Sequence, residues 1–341
     1  MKRKTIFVTL LGLLAMLGVL ASCGDGGGGD DGGGGDETIP ATYSGETAQA
    51  VITAENAVAI VGNAWGLLGT GRDLGEVVPM AESSAEPAGE TPVPSGTAGE
   101  ITQQEVTSGQ PKISATATDS GVLDGDCGGS VNYSIVTNDT TGAFSSQFTF
   151  FDYCTLIDAE TIFLDGSLSA SGQVDLDSET LTLFHLTFDE LSFGEGSDTY
   201  AYTFTEGSST YAFPLDMSGE TDTLDLVLRD NSEFPRKTYW LNNYVITISY
   251  DYYGVFVDKV TFRGRFYDYD EGYVDISTPI LNPLRVPDTV LPTTGVLLFT
   301  GAANSQAKLT FNEDGSTVLA VDGNRDGDFD DLEDVSFVNP L

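Results

Sequence analysis

The chain has 341 residues, of which 52 are acidic, 14 are basic and one is a histidine, and its formal net charge is −38. A surface with so few Lys and Arg residues cannot neutralise many phosphates, so nucleic acid and anionic lipid headgroups are poor partners and cations are the natural counter-species. The single histidine makes His-based zinc sites and His-dependent catalytic triads nearly impossible. All-β domains often run to about 200–250 residues as one unit, so the length favours one large domain.

Residues 1–22 have the features of an export signal. Lys2-Arg3-Lys4 is a basic start, residues 6–17 are apolar, and Leu20-Ala21-Ser22 places small residues before Cys23. The apolar run is too short for a comfortable transmembrane helix. The segment resembles bacterial lipoprotein signal peptides, which implies cleavage before Cys23 and lipidation of its thiol and new amino group. Gly24 after the cysteine implies sorting to the outer membrane. The alternative is an ordinary signal peptide with an incidental cysteine.

Residues 23–38 are predicted to be the lipidated cysteine followed by a Gly/Asp tether. Residues 24–36 read GDGGGGDDGGGGD and contain no side chain that could pack. Flexible-chain scaling gives this stretch a root-mean-square reach of roughly 20 Å. Residues 1–22 contain three basic residues and no acidic one, so their removal leaves a mature net charge of −41.

Residues 39–78 are predicted to form an N-terminal segment with one amphipathic helix over 53–68. Thr53 is placed as its N-cap, and Gly69 and Gly71 lie beyond its expected end. Its polar face lacks Lys and Arg, so we expect it to dock on the protein's own core instead of a membrane surface. The predicted apolar stripe consists of Ala54, Ala57, Val58, Val61, Ala64, Trp65 and Leu68. Residues 79–112 are rich in Glu, Ser, Thr, Gly and Pro, which predicts a disordered linker.

Residues 113–341 are predicted to form an antiparallel β domain of about a dozen strands. Its clearest run alternates apolar residues from Ile162 to Leu176 with polar ones, which indicates one buried face and one wet face. The predicted fold is mainly β: a large antiparallel, curled β-meander, half-barrel or sandwich-like, with one N-terminal amphipathic helix.

Cys127 and Cys154 remain after lipidation of Cys23, and an oxidising exported setting favours a disulfide between them. A hairpin centred on residues 138–142 would place Val131 opposite Phe150 and Tyr133 opposite Phe148. The same register would place Cys127 opposite Cys154 on the same face, close enough to bridge. The alternative is a pair of reduced, buried thiols.

The sharpest motif is residues 322–333, which read DGNRDGDFDDLE. They resemble the twelve-residue calcium loop of EF-hand proteins, in which oxygen ligands converge on one hard cation and a Gly permits a sharp turn. The resemblance implies one Ca²⁺, with Asp328 acting through its carbonyl, Asp330 through water, and a ligand set of Asp322, Asn324, Asp326, Asp328, Asp330 and Glu333. Residues 316–321 have a strand pattern, so we expect the loop in a β context without a helix-opening switch. The alternative is an ion-free Asp-Gly turn.

The remaining sequence carries no specific catalytic constellation. No GxSxG, Walker or dinucleotide loop is present, and His185 in an apolar strand is expected to be a hydrogen-bonded structural residue. The Tyr- and Asp-rich residues 250–273 could stack on sugars, but an aromatic cluster at a strand edge explains them better.

The lipobox and tether, the segment around Tyr43 that leads into the helix, and the Cys127 to Cys154 hairpin together resemble uncharacterised proteobacterial lipoproteins with long β-meanders. The resemblance implies fold and location but no activity. The leading hypothesis is therefore a non-enzymatic outer-membrane lipoprotein, an envelope binding or structural module stabilised by calcium. One alternative is a carrier of lipid or another apolar ligand in a curled half-barrel. A weaker one is a glycan-binding or glycan-active protein.

Overall fold

A computed structural model of the chain describes residues 38–77, 116–157, 160–178, 180–195, 198–215, 218–232, 234–250, 257–285, 292–323 and 326–332. The predicted signal peptide 1–22, Cys23, the tether up to residue 37 and the predicted linker 79–112 lie outside these residues. The described elements are one α-helix, α1 (Ala57–Val77), and the strands β1 (Thr116–Asp124), β2 (Gly128–Asn138), β3 (Ala143–Ile157), β4 (Glu160–Asp175), β5 (Thr180–Glu195), β6 (Asp198–Ala212), β7 (Gly219–Asp230), β8 (Lys237–Tyr250), β9 (Val257–Asp268), β10 (Gly272–Ser277), β11 (Gly295–Thr300), β12 (Gln306–Phe311), β13 (Thr317–Asp322) and β14 (Asp330–Asp331).

The strands form one sheet in which every strand pairs with its neighbours in sequence, in the order β1 to β14. Every strand pair is antiparallel. Within the described residues β1 and β14 do not pair with each other, so the sheet is open. The predicted mainly β fold, an antiparallel meander with one helix, is confirmed.

Alternation of side chains places an apolar core on one face of the sheet. In β4, Leu164, Leu168, Ala170 and Val174 are buried, whereas the Ser residues between them are half-exposed. This arrangement lets an acidic chain keep its charges on the face that lies in water, while the apolar face packs.

A line of β-bulges crosses the middle of the sheet. Asp152 in β3, Glu190 in β5 and Asn243 in β8 adopt positive φ angles of 46°, 51° and 47°, and the strand registers shift at these positions. Gly166 in β4 (φ 118°) and Gly264 in β9 (φ 149°) lie against them. Bulges bend strands and increase their twist, so this line curves the sheet.

The curvature wraps part of the sheet around α1. The ring of Trp65 lies 6.4 Å from that of Phe262 in β9 and 5.3 Å from that of Phe311 in β12, so these two rings are at most about 12 Å apart. The helix therefore packs across β9 to β12 on the core side of the sheet, which we call the concave face.

The helix boundaries and part of the predicted stripe are wrong. The helix begins at Ala57 and ends at Val77, beyond Gly69 and Gly71. A helical Gly costs only about 1 kcal/mol relative to Ala, too little to end a helix by itself. Thr53 lies one turn before the helix: its backbone N–H and hydroxyl donate to Asn56 Oδ1 at 2.8 and 3.2 Å, and its carbonyl oxygen accepts the Ala57 N–H at 3.0 Å. The buried helical residues are Ala57, Ile60, Val61, Ala64, Trp65 and Leu67, while Ala54 and Val58 are exposed.

Residues 42–52 cross the sheet at the end where β9 turns into β10. The contacts begin with a hydrogen bond between the hydroxyls of Thr42 and Thr205 on β6 (2.9 Å). They end with the Ile52 N–H donating to Ser305 Oγ after β11 (2.9 Å). Between these points Tyr43 packs on the convex face, its ring 5.7 Å from that of Tyr267. The N-terminal segment therefore extends from β6 to the connection after β11 before it enters α1.

Candidate functional site

The candidate cation loop lies between β13 and β14. Val321 pairs with Asp330 and Ala320 with Asp331, and the Leu332 N–H donates to Leu319 O at 2.9 Å. The prediction that a strand leads into the loop is confirmed, because β13 runs directly into Asp322. The hairpin therefore closes the loop at its base.

Asp322 is the organising residue of this loop. It is 4% exposed, and its Oδ1 and Oδ2 accept the backbone N–H groups of Asp326 (3.2 Å) and Gly327 (3.1 Å). Gly327 has a φ of 90°, which L-residues with a Cβ rarely adopt. The glycine at position six of the motif therefore has the conformational role that the sequence predicted.

The other described acids of the motif lie on the rim of the loop. Asp326, Asp328 and Asp330 are exposed, and the Asp328 N–H donates to Asp326 Oδ1 at 2.9 Å. Phe329 is held against β12, with Lys308 Nζ 4.5 Å from its ring centre. Asn324 and Glu333 lie outside the described residues. Within the described residues, no three His, Cys, Asp or Glu side chains form a group that could hold a metal ion.

The Cys127–Cys154 disulfide is present, with the two Cα atoms 5.2 Å apart. The predicted hairpin register is confirmed for Val131 with Phe150 and for Tyr133 with Phe148. The predicted opposition of the two cysteines is wrong, because the register shifts and places Gly128 opposite Cys154.

The two cysteines are also not on the core face. The bulge at Asp152 changes the alternation, so that Tyr153 joins the core and Cys154 faces the other side. Cys127 itself is exposed. The neighbouring Asp126 accepts hydrogen bonds from the Thr155 hydroxyl (2.7 Å) and the Leu156 N–H (3.2 Å), which lower the pKa of its carboxyl. The disulfide therefore attaches the exposed turn between β1 and β2 to β3.

His185 and the Tyr-rich strand have structural environments. His185 Nδ1 lies 2.8 Å from Thr210 Oγ1, and its Nε2 lies 3.2 Å from Thr187 Oγ1. The expectation of a hydrogen-bonded histidine is confirmed. Tyr267 is 3% exposed and stacks on Trp240 with ring centres 4.3 Å apart, so this part of residues 250–273 is a packed aromatic cluster.

The concave face also contains buried polar groups that the sequence analysis did not identify. Ser209 and Tyr244 are both 0% exposed, and their hydroxyls have no hydrogen-bond partner among the described residues. Glu220 and Asp222, 7% and 1% exposed, share a face of β7 with Leu224. The sequence could have indicated their burial, because residues at even spacing from Leu224 along a strand lie on the same side of the sheet as Leu224.

No protein-family model, curated protein or solved structure matches the chain. No helix among the described residues is long and apolar enough to cross a membrane.

Proposed function

We propose that the chain is an outer-membrane-anchored lipoprotein, a non-enzymatic binding or structural module of the envelope that holds one Ca²⁺ in residues 322–333. The anchor rests on the sequence around Cys23. The calcium site rests on a single observation: both carboxylate oxygens of the buried Asp322 hold the loop closed through backbone N–H groups.

Three acidic residues follow one another along the closed loop. Asp326, Asp328 and Asp330 follow one another at alternate positions, and the β13–β14 pairing holds Asp330 beside Val321. A hard divalent cation with six to eight oxygen ligands would offset the repulsion between these carboxylates. Asn324 and Glu333 would complete the ligand set.

Calorimetric titration of the chelator-treated full chain with Ca²⁺ tests the site. We expect one ion per chain and, at about 100 times the dissociation constant, about 2.7 kcal/mol of added stability. Asp326→Asn and Glu333→Gln should each weaken binding at least tenfold. Asp314→Asn is the matched control, because Asp314 is also an exposed acid in a hairpin turn. A chain without calcium-dependent heat or thermal shift, or an equal loss in the control, would reject the site.

The anchor is tested separately by mass spectrometry of the N-terminal peptide. We expect an acylated Cys23 at the new N-terminus, and Cys23→Ser should release the protein from the membrane fraction. An unmodified peptide would reject the anchor without affecting the calcium proposal.

A second candidate function, an apolar-ligand carrier, is favoured by the buried hydroxyls of the concave face. Ser209 and Tyr244 lie in an apolar wall and lack hydrogen-bond partners among the described residues. A polar group on an otherwise apolar ligand would satisfy such hydroxyls. Native mass spectrometry of gently purified protein should then detect a bound lipid that is lost from Tyr244→Phe. Protein that carries no lipid would reject this candidate.

A further inference from the structure

β1 forms one of the two edges of the open sheet. It pairs with β2 over nine consecutive residues without a register shift, and among the described residues no strand pairs with its other side. The described side chains on both sides of Gly121 are exposed, with 63% exposure at Val122 and 36% at Leu123. β1 therefore presents a long and regular edge.

Several features that block the edges of natural sheets are absent from β1. Edge strands are often kept short, interrupted by bulges, or supplied with Pro or Lys residues that prevent pairing with another chain. Residues 116–124 contain neither Pro nor Lys, and the strand has no bulge. The opposite edge differs, because β14 is only two residues long and both are Asp. β1 is therefore the edge that can accept a further strand, and its two charged residues, Asp119 and Asp124, determine which strand fits.

The backbone of β1 shows which of its residues would pair with an added strand. The Gly125 N–H donates to Gly129 O at 3.1 Å, and these two residues continue the register that places Asp124 opposite Ser130. Opposed residues of an antiparallel pair alternate between those that exchange hydrogen bonds and those that do not. Every second residue counted back from Gly125 therefore bonds to β2. The residues whose N–H and C=O groups point away from β2, which we call the outward residues, are Thr116, Thr118, Ser120, Val122 and Asp124.

The outward residues are arranged symmetrically about Ser120, which lies at the centre of Thr116–Asp124. A second copy of β1, antiparallel and related by a two-fold axis through Ser120, would therefore lie opposite all nine residues. Thr118 of each copy would then face Val122 of the other. The outward residues form five opposed pairs with two hydrogen bonds each, which gives about ten hydrogen bonds, the number found in a typical protein interface.

The two acidic residues of β1 favour this arrangement over other pairings of two copies. With the axis at Ser120, Asp119 lies opposite Gly121. Asp124 lies opposite Thr116, so no two carboxylates are opposed. An axis moved one residue toward the N-terminus would oppose two Asp119 carboxylates, and parallel pairing in register would oppose like residues at both Asp119 and Asp124. Since like charges in opposed positions destabilise a sheet, the antiparallel copy centred on Ser120 is complementary to β1 in length, hydrogen bonding and charge.

We infer that two copies of the chain pair through β1 and form a symmetric dimer with one continuous sheet. The assembly is closed, because the two-fold axis uses both β1 strands and leaves only the two-residue β14 at each outer edge. The charge of −38 on each chain opposes association, but exposed charges separated by more than a Debye length of about 8 Å are largely screened at physiological ionic strength. The dimer goes beyond the proposed function, since it requires neither Cys23 nor Ca²⁺.

Size-exclusion chromatography with light scattering tests the dimer in the full chain. A non-ionic detergent at physiological ionic strength prevents association through residues 6–17 or through an acyl chain at Cys23. We expect a protein mass of about twice 36.1 kDa. Ser120→Pro should restore the monomer mass, because proline removes an outward N–H and is tolerated at the free side of an edge strand. Circular dichroism checks that this variant keeps its sheet.

Paired charges at Thr118 and Val122 test the register without a proline. These two residues are about 13 Å apart within one strand, but each lies opposite the other across the two-fold axis. Thr118→Glu with Val122→Glu opposes carboxylates twice and should weaken dimerisation by about tenfold or more. Thr118→Lys with Val122→Lys is the matched control for net charge: it makes the chain less negative, yet it should also weaken the dimer. Thr118→Lys with Val122→Glu opposes unlike charges and should keep the dimer.

Two results would overturn the inference. One is a monomeric wild-type chain under these conditions, which would mean that β1 does not bind a second copy. The other is a dimer that persists unchanged in Ser120→Pro and in both like-charge variants, because its contact would then lie elsewhere on the surface.

Discussion

Asn63 Nδ2 donates a hydrogen bond of 2.7 Å to Oδ2 of Asp268, which joins the first third of α1 to the turn between β9 and β10. Asp268 is only 2% exposed, and its Oδ1 accepts the N–H groups of Asp270 and Glu271. One buried carboxylate thus shapes the turn and attaches the helix to it.

Asn63→Ala should therefore lower the free energy of unfolding by about 1–3 kcal/mol, since it leaves part of a buried carboxylate without its donor. Urea denaturation measures this change. Val58→Ala on the same helix is the control, because Val58 is 41% exposed, and we expect it to change stability by less than about 0.5 kcal/mol. Equal losses in the two variants would show that the hydrogen bond has no specific role.

Tyr244→Phe and Tyr43→Phe should have opposite effects at neutral pH. The Tyr244 hydroxyl is buried without a hydrogen-bond partner among the described residues, so its removal should stabilise the protein by about 1 kcal/mol. The Tyr43 hydroxyl donates to the carbonyl oxygens of Glu46 and Asp268, each at 2.9 Å, so its removal should cost about 1 kcal/mol. Denaturation curves at pH 7 compare the two, and a loss in both would contradict the assignment for Tyr244.

The same residues predict a loss of stability at alkaline pH. Burial raises the pKa of Tyr244 and of Tyr43 above the ordinary value of about 10. A group with a raised folded-state pKa stabilises fully below its unfolded pKa, and this contribution is lost as pH rises above about 10. Tyr244→Phe should therefore lose stability less steeply than the wild-type chain between about pH 9 and pH 11. Parallel pH profiles would contradict this expectation.

Gly166→Ala tests the bulge line. A Cβ at Gly166 would lie 2.1 Å from Glu190 O, and its φ of 118° is strained for alanine. We expect a loss of about 2–3 kcal/mol or more. Gly66→Ala is the matched control: it lies inside α1, and a Cβ there meets no atom within 4 Å. It should gain about 0.5–1 kcal/mol. Thermal denaturation of both variants decides whether the bulge glycine is required.

Loss of the disulfide should destabilise the protein through the unfolded state. Cys127 and Cys154 are 27 residues apart, and the chain-entropy estimate for such a loop is about 3.5 kcal/mol. Cys127→Ser with Cys154→Ser should show this loss by urea denaturation and should then be insensitive to a reductant. A wild-type chain that is equally insensitive to reductant would contradict the role of the bridge.

The alternation of apolar and polar residues predicted most of the sheet but not its bulges. The pairing of Val131 with Phe150 follows from a period of two and a turn at residues 138–142. One extra residue at Asp152 reverses which side chains of β3 face the core after that position. The sequence pattern cannot reveal this reversal, because an apolar residue faces the core in either case: Cys154 without the bulge, or Tyr153 with it. The predicted cysteine opposition failed for this reason.

In the loop and the helix as well, features that depend on neighbouring residues were predictable from the sequence, whereas features that depend on tertiary contacts were not. The strand before Asp322 and the sharp turn at Gly327 were predictable, since both depend on residue type at short range. The start of α1 was not, because the turn before it depends on a distant residue: Asn56 accepts hydrogen bonds from Thr53 and donates through its Nδ2 to Glu271 at 2.8 Å. The exposure of Ile280 and Leu281 was also unpredictable, since an apolar pair in sequence indicates burial by default.

The strand order determines when each part of the chain can reach its partners during synthesis. Each strand pairs with the strand made just before it, so the meander can grow hairpin by hairpin from local contacts. The segment that leads into α1 is different: Thr42 binds a residue 163 positions later, and Ile52 binds one 253 positions later. The part of the fold that leaves the ribosome first therefore completes its contacts late: the Ile52–Ser305 hydrogen bond needs residue 305, and the packing of Trp65 on Phe311 needs β12.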